Sequence, residues 1–381
     1  MLTGSYFNET HQQVRETVRS FVQRHVLPKI DEWEEAGEFP RDLYRLAGEA
    51  GILGIGYPEK YGGTGENDLF MKIAASEELM RSTSGGFVAS LGSLDIALPP
   101  VCNWAKPEVR DTVVAEVLSG KKIAALAITE PSAGSDVANI RTKAKKVGDH
   151  YQVNGSKIFI TSGVRADYYT VAVRTGGDGH GGISLLLIEK NTPGFKVGRK
   201  LNKLGWWASD TAELFFDDCL VPESHLIGAE NAGFIAIMMN FLKERLALSV
   251  MGYMTATLAL EMALKYARDR HAFGRPTAKF QVIKHKLVDM ATQVEIAREY
   301  TYHAAALVQA GKNPVKEVAM AKNFSTDVAE SVTREAIQIF GGMGFMRETG
   351  VERLFRDAKI LSIGGGTTEI MKELIAKQMG L

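Results

Sequence analysis

Cysteine is scarce in this sequence. Cys102 and Cys219 are the only two in 381 residues and form no CxxC pair. No disulfide framework is possible, and a reducing compartment is the natural expectation. Charge of one sign is missing too: Lys plus Arg and Asp plus Glu number 45 each, with no basic tract. Nucleic acid or an anionic membrane is therefore not expected as the main partner. No charge-free run of about 18 apolar residues occurs, so no membrane insertion is expected. The opening stretch MLTGSYFNETHQQVRETVRSF lacks the apolar segment of a signal peptide and mixes Glu with Arg, unlike a transit peptide. The expectation is a soluble, cytoplasmic protein. Several motifs are absent as well: GxGxxG after a strand, GxxxxGK[ST], GxSxG and HExxH. The eight histidines are scattered without metal-ligand spacing, so no metal is expected. A Rossmann dehydrogenase, a P-loop NTPase, an α/β-hydrolase and a zinc hydrolase all lose support.

What is present is an ordinary globular composition, 45% apolar and 24% charged, long enough for two or three domains. Periodicity divides it into three blocks. Residues 1–121 read as helical: Val14, Val18, Phe21, Val22 and His25 recur at helical spacing, and a short helix from Asp42 is stopped by Gly51. The patch YGGTGEN (61–67) breaks the pattern before a helix over roughly 68–82. Residues 122–230 read as strands, among them IAALAIT, YQVNGSKIFIT, YYTVAV and ISLLLI, punctuated by turn clusters that include the hairpin signal Asn154-Gly155. From 231 to 381 the helical period returns over about 234–268, 280–310, 316–340 and 368–379. The expected fold is α+β and multidomain: an N-terminal helical domain (1–121), a middle antiparallel, β-barrel-like domain (122–230) and a C-terminal four-helix bundle (231–381).

One carboxylate sits where a soluble helix rarely puts one. From Ile235 to Met254 the chain reads IAIMMNFLKERLALSVMGYM, with Lys243, Glu244 and Arg245 its only charges. A helix that is apolar all round is normally buried. Burial disfavours the charged form of a carboxyl and raises its proton affinity, which makes a base usable near neutral pH. Glu244 is the candidate catalytic base, against the alternative of a buried ion pair with Arg245 or Lys243. Other segments have ligand-binding character. LAITEPSAGSD (126–136) places small residues where a backbone can approach a polar heterocycle or a pyrophosphate. Phe159-Ile160-Thr161 offers an aromatic and a hydroxyl at a strand end. In DRHAFGRPTAKFQ (269–281), Arg270 presents a fork suited to phosphate and Gln281 an amide at a helix start. QIFGGMGF (338–345) is a glycine turn after a helix, and SIGGGTTEIMKEL (362–374) leads three glycines into a helix N-terminus.

Taken in this order, the segments resemble the acyl-CoA dehydrogenase family, flavoenzymes that introduce a double bond between the α and β carbons of acyl-CoA thioesters. The likeness covers nearly all of the chain and includes AITEPSAGSD, KIFITSG, KLGWWASDTAELFFDDCLVP, RHAFGRPTAKFQ, QIFGGMGF, RDAKI and GGGTTEI. The resemblance implies FAD, an acyl-CoA substrate, a place in fatty-acid β-oxidation, an electron-transferring flavoprotein as acceptor, and a homotetramer. It implies that Leu126, Ile128, Thr129, Gly134 and Ser135, with Phe159, Ile160 and Thr161, contact flavin and ribityl. Gln338, Gly341, Gly342, Thr367 and Glu369 would meet the far side of the dinucleotide. Arg270, Phe273 and Gln281 would reach the FAD of a neighbouring subunit. Ser135, Phe241, Arg245, Gly365 and Gly366 would lie along the acyl-CoA, with residues 88–99 in the pocket wall. Many members carry the catalytic glutamate just before the Gly-Thr of the last motif, where this chain has Gly365. A smaller branch, including isovaleryl-CoA and long-chain acyl-CoA dehydrogenases, places it on the long helix, at the position of Glu244. That branch implies a branched or medium-to-long acyl chain. An oxygen-using acyl-CoA oxidase, or a flavin- and acyl-CoA-binding protein without turnover, are the alternatives. Oxygen consumption and anaerobic flavin bleaching discriminate them.

Overall fold

The computed structural model describes residues 6–65 and 68–381; Glu66 and Asn67 of the glycine-rich patch, and residues 1–5, lie outside the described residues. Helices come first: α1 (Glu9–Phe21), α2 (Ile30–Ala36), α3 (Asp42–Glu49), α4 (Leu69–Met80), α5 (Gly85–Leu91), α6 (Leu94–Trp104) and α7 (Pro107–Leu118). Asn8 and Asp68 cap α1 and α4 by accepting backbone N–H groups, as short polar side chains do at helix starts. The first helix departs from the spacing expected of it. After Phe21 it widens into a π turn over Val22–Val26. A π turn shifts the phase of every following side chain, so Val26 is buried where His25 was expected and His25 is exposed.

The strands follow: β1 (Ala124–Ala127), β2 (Lys143–Val147), β3 (His150–Thr161), β4 (Tyr168–Arg174), β5 (Ile183–Glu189), β6 (Phe195–Lys200), β7 (Thr211–Pro222) and β8 (Leu226–Ile227). They form one sheet in the order β6-β7-β3-β2-β4-β5-β8, with β1 added beside β4. The hydrogen-bonded path has two ends and is not a closed barrel. It is mostly antiparallel, but β1 runs parallel to β4, and β2 meets β4 in parallel through Lys143 and Arg174. Nor does Asn154-Gly155 make a hairpin. β3 runs straight through it, and the register against β7 shifts between Val153 and Gly155. Asn154 exchanges hydrogen bonds with Asp218 across the strands (Asp218 N–H to Oδ1, 2.9 Å), while a Cβ on Gly155 would lie 2.7 Å from Thr142 Cα. The dipeptide serves a bulge and a close backbone approach.

Four long or medium helices complete the chain: α8 (Gly233–Asp269), α9 (Gln281–Gln309), α10 (Val315–Phe340) and α12 (Thr368–Met379), with α11 (Val351–Leu361) before the last. Between α8 and α9 the chain forms a small hairpin, β9 (His271–Ala272) with β10 (Arg275–Pro276). Among the described residues two stretches, 85–104 and α8, are long and apolar enough to cross a membrane by length and composition; 67% and 78% of their apolar windows are buried inside the protein, as core helices are.

Three packing features position the site. A Cβ on Gly233 would lie 2.7 Å from Ser184 C, so only glycine lets the start of α8 abut β5. The α6 helix joins the sheet to α8: Ser93 Oγ donates to Ala124 O (3.0 Å), Thr170 Oγ1 to Ala97 O (2.8 Å), and Asn240 Nδ2 on α8 to Ile96 O (2.7 Å). Last, α10 lies along α8.

Candidate active site

Glu244 lies on α8 one turn beyond Asn240. The residue as a whole is partly exposed, but Oε2 is shut off from water and has no hydrogen-bond partner. Burial pushes this carboxyl up to about 7, against the downward pull of Arg245 and Lys322. A buried carboxyl with an unused oxygen, able to change charge near neutrality, is what a general base requires.

Arg245 is buried, and its Nε donates to Gly365 O (3.1 Å). Its guanidinium lies 5.6 Å from the Phe241 ring centroid. Gly365 and Gly366 have φ of +64° and +98°, a region where side chains are strained. A Cβ on Gly365 would lie 2.6 Å from Leu248 Cδ1 and 3.7 Å from Glu244 Oε1, so the glycine turn comes right up to the carboxyl. The fold thus brings together Phe241, Glu244, Arg245, Gly365 and Gly366.

It adds a residue that the sequence reading missed. Lys322 on α10 is completely buried, and its Nζ donates to Gly366 O (2.5 Å). Burial pulls this ammonium down to about 8. A signal existed: Val318, Ala321, Ser325, Val328, Ala329 and Val332 form the buried stripe of α10, and Lys322 falls within it. A lysine on an apolar stripe needs an acceptor or a task.

The segments 126–135 and 159–161 are also joined. Ile158 N–H donates to Thr129 O (2.9 Å), and Lys157 Nζ donates to Ile128 O and to Glu130 Oε1 (2.8 Å each). Between Lys157 and Ile160 the pairing with β7 slips by one residue. That bulge puts Phe159 at φ +62°, with its ring 65% exposed. Gly134 and Ser135 are exposed; Leu126, Thr129 and Thr161 are half-buried. The side chains of Ile128 and Ile160 are packed in the core, which leaves only their backbone to meet a ligand.

The remaining candidates lie elsewhere. Arg270 ends α8, about 40 Å along the axis from Glu244 at 1.5 Å per residue. It leads into a two-residue turn in which both Phe273 (φ +50°) and Gly274 (φ +76°) are left-handed, and Phe273 projects 95% exposed. Gln281 opens α9 and is exposed, as is Gln338 near the end of α10. A Cβ on Gly341 or Gly342 would meet nothing within 4 Å. Thr367 caps α12, its Oγ1 accepting from Ile370 N–H (3.3 Å), and Glu369 is exposed in the first turn. Arg270, Phe273 and Gln281 therefore do not join Glu244 within this chain.

Three family models match in register with these regions: acyl-CoA dehydrogenase N-terminal domain over residues 8–121, middle domain over 125–219 and C-terminal domain over 231–380. An acyl-CoA dehydrogenase of Bacillus subtilis is 42% identical over 374 residues, covering 97% of this chain and 98% of that one. The mitochondrial long-chain specific acyl-CoA dehydrogenase of Rattus norvegicus is 39% identical, covering 98% of this chain and 87% of that one. Among solved structures, a probable acyl CoA dehydrogenase from Mycobacterium abscessus superposes with a TM-score of 0.96 at 50% identity, over 98% of this chain and 100% of that one. A structure described as the electron transferring flavoprotein of Acidaminococcus fermentans superposes at 0.94 with 38% identity, over 98% of each chain.

Proposed function

The chain belongs to the acyl-CoA dehydrogenase family, and on that footing we propose that it removes hydrogen from the α and β carbons of an acyl-CoA thioester with Glu244 as the base. It is an oxidoreductase, and its cofactor is FAD. The residues fit that cofactor. The bulged, outward-facing Phe159 supplies a planar apolar surface, and Gly134, Gly341 and Gly342 leave room for close approach. On this reading the segments around Thr129 and Phe159 hold flavin and ribityl, while Gln338, the 341–342 turn and the start of α12 hold the far side of the dinucleotide. When bound, FAD supplies the acceptor for the hydride that leaves the β carbon.

The chain's own residues do the rest. Glu244 takes the α-proton. Backbone N–H groups of the 365–367 turn polarise the thioester carbonyl, stabilising charge as that proton leaves. Ser135, Phe241 and Arg245 line the acyl-CoA, and the 88–99 segment walls the acyl chain, of branched or medium-to-long type. The wall excludes water and keeps the carboxyl's proton affinity high. The single observation that carries this reading is the buried, partnerless Oε2 of Glu244.

Residues 1–121, 122–230 and 231–381 serve as three domains in the same reading. Its electrons pass to an electron-transferring flavoprotein in the cytosol. Arg270, Phe273 and Gln281 complete the FAD site of a neighbouring chain in a homotetramer. Exposed Phe273, Phe345, Val282, Val288 and Ile296 are the apolar surface that such an assembly would cover. The test is anaerobic: acyl-CoA should bleach the flavin of the native protein, whereas Glu244→Gln should stay yellow and FAD-loaded without bleaching. Rapid bleaching in Glu244→Gln overturns the assignment.

A further inference from the structure

We propose that Lys322 is a positioning residue for this reaction, holding the glycine turn at 365–367 in its working orientation and keeping a positive charge beside Glu244. The inference rests on the reading of Glu244 as the base.

Two buried cations from different helices grip successive carbonyls of one turn. Arg245 Nε on α8 donates to Gly365 O, and Lys322 Nζ on α10 donates to Gly366 O. Among the described residues no peptide bond is cis, and in a trans unit C=O and N–H point in opposite directions. Gly365 O shares its peptide with Gly366 N–H, and Gly366 O with Thr367 N–H. Both N–H groups are therefore turned away from the cations. The hydrogen bonds that close the turn start instead from Gly364 N–H, to Ile360 O (2.8 Å), and Thr368 N–H, to Ser362 O (3.1 Å). Left-handed glycines permit several orientations of such a turn, so the clamp from behind selects one. On the reading of Glu244 as the base, the N–H groups of Gly366 and Thr367 are the donors that the turn offers to a thioester oxygen whose charge grows as the α-proton leaves.

The same ammonium has a second effect. Its charge acts on Glu244 without a hydrogen bond between the two, while its short hydrogen bond goes to the carbonyl. Glu244 is faced by Arg245 on its own helix and by Lys322 from α10; Lys322 in turn is faced by Arg245, Glu244 and, from α12, Glu369. Lys243, the remaining charge on this turn of α8, is influenced by its own burial and then by Lys72 and Asp95. Lys322 thus offsets part of what burial does to Glu244, holding the base in a range where it still ionises.

The test uses FAD-loaded, full-length Lys322→Arg, Lys322→Gln and Lys322→Met. The first readout is an infrared titration of the Glu244 carboxyl in the absence of substrate, its band identified by its disappearance in Glu244→Gln. The second is the pH profile of flavin bleaching, with KM for acyl-CoA. Lys322→Arg should titrate as the native protein does. Lys322→Gln keeps a donor for Gly366 O but no charge, so its carboxyl should titrate about one pH unit or more higher, with the acid limb moving equally and KM within about twofold of native. Lys322→Met should show the same titration shift and a KM raised about tenfold, one lost hydrogen bond to the turn. Should the methionine variant fail to fold, the contrast between Arg and Gln decides the charge effect alone. A native titration and native pH profile in Lys322→Gln would overturn the proposal. Bleaching by Glu244→Gln would instead overturn the base assignment, and the infrared titration would still judge Lys322.

Discussion

Two regions of this molecule bury the same three pieces, a lysine, a glutamate and a backbone carbonyl, and connect them differently. In the β-domain, Lys157 donates to Glu130 itself as well as to Ile128 O. Glu130 also accepts from Thr142 N–H (2.9 Å) and Arg141 N–H (2.6 Å). Burial alone would push Glu130 up, but Lys157 and these donors bring it below the usual carboxylate range. In the C-terminal domain, Lys322 gives its short hydrogen bond to Gly366 O, and Glu244 keeps an oxygen with no partner. Its proton affinity rises to about 7. The first arrangement is a rivet between two ligand-bearing segments. The second leaves a carboxyl in reserve for a proton. Burial of a charged group does not by itself mark a reactive site; what distinguishes the two is where the lysine's hydrogen bonds go.

The comparison can be broken most forcefully by removing charge at each glutamate. Glu244→Gln should lower flavin reduction about 10⁴-fold, the upper range for losing a general base, with FAD content and folding intact. Glu130→Gln should retain proton abstraction and instead lose thermal stability, seen as a lower Tm. Next in size, Lys157→Met leaves Glu130 buried without its cation. Urea denaturation should show a loss of about 3–4 kcal/mol, accompanied by weaker FAD retention, because the 128–130 and 157–161 segments lose their tie. The smallest effect concerns pH. Glu244 has a folded-state value of about 7 against an ordinary 4.5. Its cost is therefore absent below pH 4.5, grows as pH rises, and is complete above 7. Glu244→Gln should accordingly be more stable than the native protein by about 3 kcal/mol at pH 8 and equal to it at pH 4. Glu130 has the opposite sign: its contribution is present at neutral pH and disappears on acidification. An inactive variant that is more stable than its parent would be the clearest sign that strain at Glu244 is kept for chemistry.

Much of this was legible in advance, for physical reasons. The long helices read true because a 3.6-residue period persists over many turns: 234–268 was expected and Gly233–Asp269 is found. Glu244 was legible because few charges interrupt an apolar helix. What escaped notice depends on tertiary context. Val26 replaces His25 because a π turn inserts a residue without altering composition. Asn154-Gly155 carries a hairpin's letters, yet Asp218 and Thr142 lie across from it and make a bulge of it. Phe159 is turned outward by a register slip against β7, a partner more than 50 residues away in the chain. Lys322 could have been found on its apolar stripe, but its acceptor, Gly366 O, comes from a different segment.

Gly365 bears on how such enzymes diverge. A side chain grown there would begin 3.7 Å from Glu244 Oε1, so two distant points of the gene address one spot in space. A lineage relocating its proton acceptor between them must pass through a form with both carboxyls, which would compete for one proton, or with neither. Leu248 Cδ1, 2.6 Å from that would-be Cβ, would have to swing aside, and the φ of +64° at Gly365 would strain any side chain placed there. The leucine one helical turn from the acid and the left-handed backbone of the glycine are thus the two features that a carboxyl carried on this turn would have to accommodate.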